Sequence, residues 1–361
     1  MNKKLLLALS LVLAILMLVG CSSNLPKEPA NDGKVDEKPA TDNTDKPSGE
    51  NTTPEAASLK TGLAVVTSLG KSADAGEKDG LAQVDSTVVA VTVDGEGKIV
   101  ECIIDAAQTK MNFSKEGKLV TDLATEFKSK NELGAEYDMA KASKIGKEWN
   151  EQAAFLANYV VGKTVEEVKG IAVAEGKATD ADLAASVTVS VTGYINAIER
   201  AVASAQEIGA KTGDKLGLGI ATNMSKSKDV ADGKEGQAQA YSYYTALTTD
   251  ADGKITSCII DASQGTVKFD GTGKITSDLA AEVKTKNELG ADYGMAKESK
   301  IGKEWNEQAA AFANYVVGKT LEEVKGIALT EGVPAADTDL AASVTVHVSD
   351  MVTIIEKAIT K

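Results

Sequence analysis

Apolar and hydroxyl residues alternate through Ser186-Val187-Thr188-Val189-Ser190-Val191, and a similar alternation runs through Ser343-Val344-Thr345-Val346-His347-Val348. A period of two predicts a half-buried strand with the threonine facing outward. Directly after it, Ile195, Ile198 and Val202 fall on one helical face, as do Met351, Ile354, Ile355 and Ala358. Asp182 and Asp339 open the two stretches, each reading Asp-Leu-Ala-Ala-Ser-Val-Thr. The pattern predicts a threonine held just before a helix N-terminus, where backbone N–H groups and the dipole favour an anion. A plain strand with its polar side to water is the other reading.

Upstream, the alternation predicts a strand over 62–68 and a hairpin with strands over 82–93 and 98–107. Its turn is Asp94-Gly95-Glu96-Gly97. A short strand over 110–113, a helix over 120–130 and a loop over 131–144 follow. A long helix over 145–161 is stopped by Gly162, and a shorter one spans 164–171. The order then recurs, with a hairpin turn at Asp250 to Gly253. Residues 130–154 and 286–310 agree in 22 of 25 positions. Strands segregated from helices predict an α+β fold. The repeat predicts two tandem homologous domains, 59–206 and 207–361, each a mainly antiparallel sheet packed with helices.

Before the repeats, Lys3 and Lys4 precede an apolar run from Leu5 to Val19, ending Leu18-Val19-Gly20-Cys21. This predicts a lipoprotein signal over 1–20, with Cys21 as the lipid-bearing residue. Residues 21–58 are rich in Pro, Asn, Asp, Thr and Lys, a composition that predicts a disordered, lipid-anchored linker. The apolar end of the leader is also a candidate for release as a signalling peptide.

Charge narrows the function. The formal net charge is −14, and binding nucleic acid needs clustered Lys and Arg on phosphates. Arg200 is the sole arginine and His347 the sole histidine, so neither an arginine phosphate clamp nor a histidine-based triad is expected. Cys102 and Cys258 sit in equivalent apolar runs and are expected to pack as free thiols.

Aromatics make up 4% of the chain, so those that recur in both repeats are informative. They are Tyr137 and Tyr293, Trp149 and Trp305, Tyr159 and Tyr315. Leu133-Gly134 and Leu289-Gly290 stand beside the first pair, with Met139 and Met295 just beyond. Such a loop suits a planar heteroaromatic ring: Gly permits close backbone approach, while Tyr and Met supply stacking and polarisable contact. Trp149 and Tyr159 also suit plain packing of the long helix. Glu148 and Glu151, with Glu304 and Glu307, read as a solvated helix face rather than a carboxylate pair.

The stretch DLAASVTVSVTGYINAIERA resembles the FMN-binding module, in which a short Asp-x-x-Ser-Gly-Ala-Thr motif receives FMN through a phosphoester to threonine. More specifically, the recurring KxELGxxYxM, EWNEQA and DLxxSVT are similar to a family of surface lipoproteins with two such modules and a pheromone-encoding leader. The likeness covers the leader and both repeats. Ser186-Val187 and Ser343-Val344 replace the Gly-Ala of the plain motif, so Thr188 and Thr345 rest on the lipoprotein variant. The resemblance implies two covalent FMN groups attached by a Mg²⁺-dependent flavin transferase. It also implies electron transfer from a membrane quinol or NADH dehydrogenase chain to extracellular acceptors such as ferric iron. Such a protein is an electron carrier on the outer face of the cell membrane more than a catalyst. A cofactor-free solute-binding lipoprotein and a structural spacer remain the alternatives.

Overall fold

The computed structural model describes residues 56–360. The leader, Cys21 and nearly all of the linker therefore lie outside the described residues. In the first repeat β1 (Lys60–Ser68), β2 (Gly80–Val93) and β3 (Ile99–Phe113) form an antiparallel sheet in the order β1-β2-β3. Asp94 closes the hairpin: its carbonyl accepts from Gly97 N–H, and its carboxylate accepts from Glu96 and Lys98 N–H. The expected 98–107 and 110–113 strands are one continuous strand, paired with β2 from end to end.

The helix expected over 120–130 is reduced to α1 (Lys130–Leu133), and the residues before it form turns. Val120 and Leu123 are exposed, so a helix there would have little apolar face to bury. Asp122 instead accepts from Ala124 N–H in a local turn. Then come α2 (Trp149–Tyr159), α3 (Val165–Lys169), a two-residue hairpin of β4 (Val173–Ala174) and β5 (Lys177–Ala178), α4 (Ala181–Ser186) and α5 (Thr192–Ala203).

The second repeat follows the same order. β6 (Lys215–Asn223), β7 (Gly236–Thr249) and β8 (Ile255–Phe269) lead to α6 (Lys286–Leu289), α7 (Trp305–Val316) and α8 (Leu321–Lys325). β9 (Leu329–Thr330), β10 (Val333–Pro334), a 3-10 turn at Asp339–Ala342 and α9 (Ser349–Thr360) complete it. The chain is thus α+β with antiparallel sheets. Among the described residues no helix is long and apolar enough to cross a membrane.

Alternation along β2 sorts its two faces. Val89, Val91 and Val93 meet Trp149, Leu156, Leu183 and Ile198 from the helices. Val88 and Ala90 point the other way, onto Leu216, Leu218, Ile220 and Tyr244 of the second repeat. Each large apolar side chain buried in this way contributes roughly 1.5–3 kcal/mol. Helices sit directly on strand backbone where glycine allows it: a Cβ at Gly62 would lie 2.1 Å from the Ala201 carbonyl oxygen, and one at Gly219 1.9 Å from that of Ile354.

The contacts between repeats are reciprocal. Phe113 stacks on Phe269 with centroids 4.2 Å apart. Asp229 accepts from Leu119 N–H at 2.8 Å, and Asp74 from Ile275 N–H at 2.7 Å. Arg200 pairs with Glu288, and Lys357, the counterpart of Arg200, pairs with Glu132. The repeats therefore share cores, and the described residues of both lie within a single compact unit.

Candidate functional site

The threonine stretch is not the strand that its alternation predicts. Asp180 caps α4 by accepting from Leu183 N–H, and the helix runs through Ser186. From Val187 the chain is irregular until α5. Its N–H groups are bound elsewhere, leaving little for a strand ladder. Val187 N–H donates to the Leu183 carbonyl and Val191 N–H to that of Gly176 in the β4–β5 turn. Thr188 N–H donates to the side chain of Gln152. Burial follows the same division: Val187 and Val191 are buried, and Val189 between them is only half-buried. In the second repeat Asp339 lies in the 3-10 turn, and Thr345 follows buried Val344 in the same way.

Gln152 is the residue that positions Thr188. It lies on the inner face of α2 and is fully buried. Its Oε1 accepts from Thr188 N–H at 2.8 Å, Thr188 Oγ1 at 3.2 Å and Val189 N–H at 3.3 Å. Its Nε2 donates to Ser143 Oγ at 3.3 Å and to the Lys147 carbonyl at 3.2 Å. Gln308 repeats this, accepting from Thr345 N–H at 2.8 Å and Oγ1 at 3.1 Å, and donating to Ser299 Oγ and the Lys303 carbonyl. A hydroxyl whose hydrogen is held inward keeps its lone pairs for the opposite side. The sequence did carry a signal: Gln152 falls in register with Trp149, Ala153 and Leu156 on an otherwise apolar face.

Glu148 and Glu304 are not on a solvated face. Glu148 caps α2, and Glu151 accepts from its N–H at 2.7 Å. The Glu148 carboxylate accepts from Met139 N–H at 2.8 Å and Ala140 N–H at 3.0 Å, and Glu304 does the same for Met295 and Ala296. The carboxylates thus tie the methionine loops to the helices that carry the glutamines.

The glycines of the Leu-Gly loops are required by the backbone. Gly134 has φ 48° and Gly290 φ 50°, and the space around a Cβ at either is open. Each opens a 3-10 turn ending at Tyr137 or Tyr293. Tyr137 OH donates to Gln108 Oε1 at 3.4 Å, and Lys130 Nζ lies 4.6 Å from the Tyr137 ring centroid.

In the second repeat these parts surround open space. Thr345, Gln308, Met295, Val344, Val346 and Pro334 are among the residues lining a cavity of about 660 Å³. Met295 and Val346 also border a cavity of about 350 Å³ that holds Tyr293, Trp305 and Lys286. A third, of about 650 Å³, is lined by Leu289, Tyr293 and Lys286 among others. Thr345 and Met295 therefore line the same cavity, Tyr293 borders the neighbouring one that shares Met295 and Val346 with it, and Leu289 lies in the third, which shares Tyr293 and Lys286 with the second. Gly290, Ser343 and Asp339 line none of the three. In the first repeat Asp182 is exposed, and Ser186 and Leu133 are half-buried.

Burial sets the electrostatics. It pushes the Lys286 ammonium down to about 7 against the opposing pull of Asp261, and pushes Asp261 itself up to about 7. The Cys102 and Cys258 thiols rise to about 12, which suits packing and not reactivity. No group of three or more His, Cys, Asp or Glu able to hold a metal ion occurs among the described residues. Comparison of the chain with protein-family models, curated proteins and solved structures gives no match.

Proposed function

We propose that the chain is a lipid-anchored extracellular flavoprotein built from two FMN-binding modules, each carrying FMN on a phosphoester to Thr188 or Thr345. The observation that carries this reading is the presentation of Thr345. Its hydroxyl is held from behind by a buried glutamine and stands on a cavity of about 660 Å³, and Thr188 is held in the same way. A pocket of 300–1,000 Å³ suits a ligand of cofactor size. The sole arginine is engaged with Glu288, so no guanidinium clamps a phosphate here. A covalent ester makes such a clamp unnecessary.

When bound, the flavin would supply the electron chemistry. The chain's own residues do the rest. Gln152 and Gln308 aim the threonine hydroxyls, and Glu148 and Glu304 fix the methionine loops. Met295 offers polarisable surface in the cavity of Thr345, and Tyr293 offers aromatic surface in the cavity that shares Met295 with it. A Mg²⁺-dependent flavin transferase would attach the groups. A membrane quinol or NADH dehydrogenase chain would be the electron donor, and ferric iron or another extracellular acceptor the sink.

The test is intact mass and colour. Protein made with an active flavin transferase should be yellow and heavier by two FMN groups. Thr188→Ala and Thr345→Ala should each remove one, and the double variant both. Unmodified, colourless protein from a host in which the transferase demonstrably works would favour a cofactor-free solute-binding or structural lipoprotein.

A further inference from the structure

The two repeats differ where a ring would lie beside the threonine, and the consequence of that difference rests on the proposed flavin attachment. Asp85 pairs with Gln108 across the first sheet, and Thr87 with Ala106. At the same register in the second sheet Tyr241 pairs with Gln264 and Tyr243 with Ala262. A carboxylate and a hydroxyl are thus replaced by two aromatic rings. Tyr241 and Tyr243 stack 4.7 Å apart, and Trp305 tilts against Tyr243 at 6.5 Å.

Lys286 is enclosed by this group. Its Nζ lies 4.5 Å, 4.4 Å and 4.6 Å from the ring centroids of Tyr241, Tyr293 and Trp305. It is 3% exposed, and it takes part in none of the ion pairs among the described residues. Its Nζ donates to the Tyr241 hydroxyl, and Asp261 pulls on it without a direct ion pair. An ammonium so deeply buried is costly, consistent with the lowering that burial imposes on it. Lys286 lines the 350 Å³ cavity, which shares Met295 and Val346 with the threonine cavity. Asp350 also lines it, with its carboxyl raised from the ordinary range by burial. Lys130, the counterpart of Lys286, is only half-buried over Tyr137 and Trp149. Asp85 in that repeat is a carboxylate, paired with Lys71 at 3.0 Å.

We propose that the Lys286 cavity receives the ring carried on Thr345, and that the two sites hold electrons unequally, the second more strongly. Reduction by a quinol passes two electrons and one proton to the ring, and the quinol's other proton goes to water. The ring thereby gains one negative charge. An ammonium buried beside the ring favours that charge, whereas in the first repeat the counterpart Lys130 is only half-buried and the matching strand position carries Asp85, already paired with Lys71. Electrons on the fully loaded protein therefore rest on the second site.

Single-flavin proteins test this. Thr188→Ala and Thr345→Ala are each loaded with the transferase, checked by mass and titrated reductively. The Thr188→Ala protein, whose flavin is on the second site, should have the higher midpoint potential, by at least tenfold in the reduction equilibrium. That is about 30 mV for a two-electron couple. Its flavin fluorescence should also be the more quenched, because Tyr241, Tyr243 and Trp305 surround the ring. Adding Lys286→Met to it should remove most of the potential difference while leaving the mass of the attached flavin unchanged. Should that variant not fold, Tyr241→Asp with Tyr243→Thr converts the pocket to its first-repeat counterpart and should lower the potential likewise. Equal potentials and equal quenching in the two single-flavin proteins would overturn the proposal. A higher potential that survives both pocket changes would overturn the role of Lys286. Absence of any flavin mass on either protein would remove the underlying flavin assignment, and the inequality of the sites with it.

Discussion

At the scale of single residues, the least expected participants are Gln152 and Gln308. A buried amide satisfies a threonine N–H and hydroxyl through one oxygen, while its nitrogen is held by a serine and a carbonyl. Removing it leaves several buried polar groups unpaired, at roughly 1–3 kcal/mol for each one that water cannot reach. Gln308→Leu should therefore lower the melting temperature. It should also slow flavin attachment at Thr345 by roughly tenfold, since one lost orienting hydrogen bond is worth about that factor. Thr188 in the same molecule is the internal control. Gln308→Glu keeps an acceptor oxygen and should recover part of the rate. Peptide mass analysis over time reads both threonines at once, and equal rates at the two sites of Gln308→Leu would remove the positioning role.

At the scale of elements, the hairpins, the long helix and the segregation of strands from helices were legible, because their periodicities are long and their turns carry Asp and Gly at fixed places. The threonine stretch was not. Its period of two is real, but strand formation depends on a free neighbouring edge, and here Gln152 and the Gly176 carbonyl take the N–H groups first. Likewise 120–130 has helix-compatible residues but nowhere to bury Val120 and Leu123. Of the candidate site, the sequence shows the recurring residues but not how they are assembled: the cap formed by Glu148 and the buried glutamine are tertiary facts. Helix placement adds a prediction. Gly219→Ala drives a Cβ into the Ile354 carbonyl and must push α9 off β6, costing about 1–3 kcal/mol. At roughly 2–4 °C per kcal/mol for a unit of this size, melting should fall by several degrees. Gly95→Ala, at a turn position with open space around it, should stay within about 0.5 kcal/mol. Indistinguishable melting curves for the two variants would contradict the direct helix-on-strand contact.

At the scale of the whole molecule, near-identical repeats invite the picture of two beads on a string, yet their sheets meet face to face. Leu63, Val65, Val88 and Ala90 of one repeat pack on Leu216, Leu218, Ile220 and Tyr244 of the other. A second shared core joins Met111 and Phe113 to Met224 and Phe269. The reciprocal ion pairs Arg200–Glu288 and Lys357–Glu132 add little by comparison, since pairs that water still reaches are worth about 0–1 kcal/mol. Apolar burial is therefore what joins the halves. A chain cut to residues 59–206 would leave the inner face of its sheet uncovered, a contiguous apolar patch of the kind that drives association. Such a fragment should self-associate through that face or aggregate, and should lose stability by far more than the ion pairs account for. Mixed with residues 207–361, it should recover a one-to-one complex with the circular dichroism of the intact chain. Sedimentation of each fragment alone and of the mixture decides the matter. A fragment 59–206 that stays monomeric, with the melting temperature of the intact chain, would show that the shared core contributes nothing to holding either repeat together.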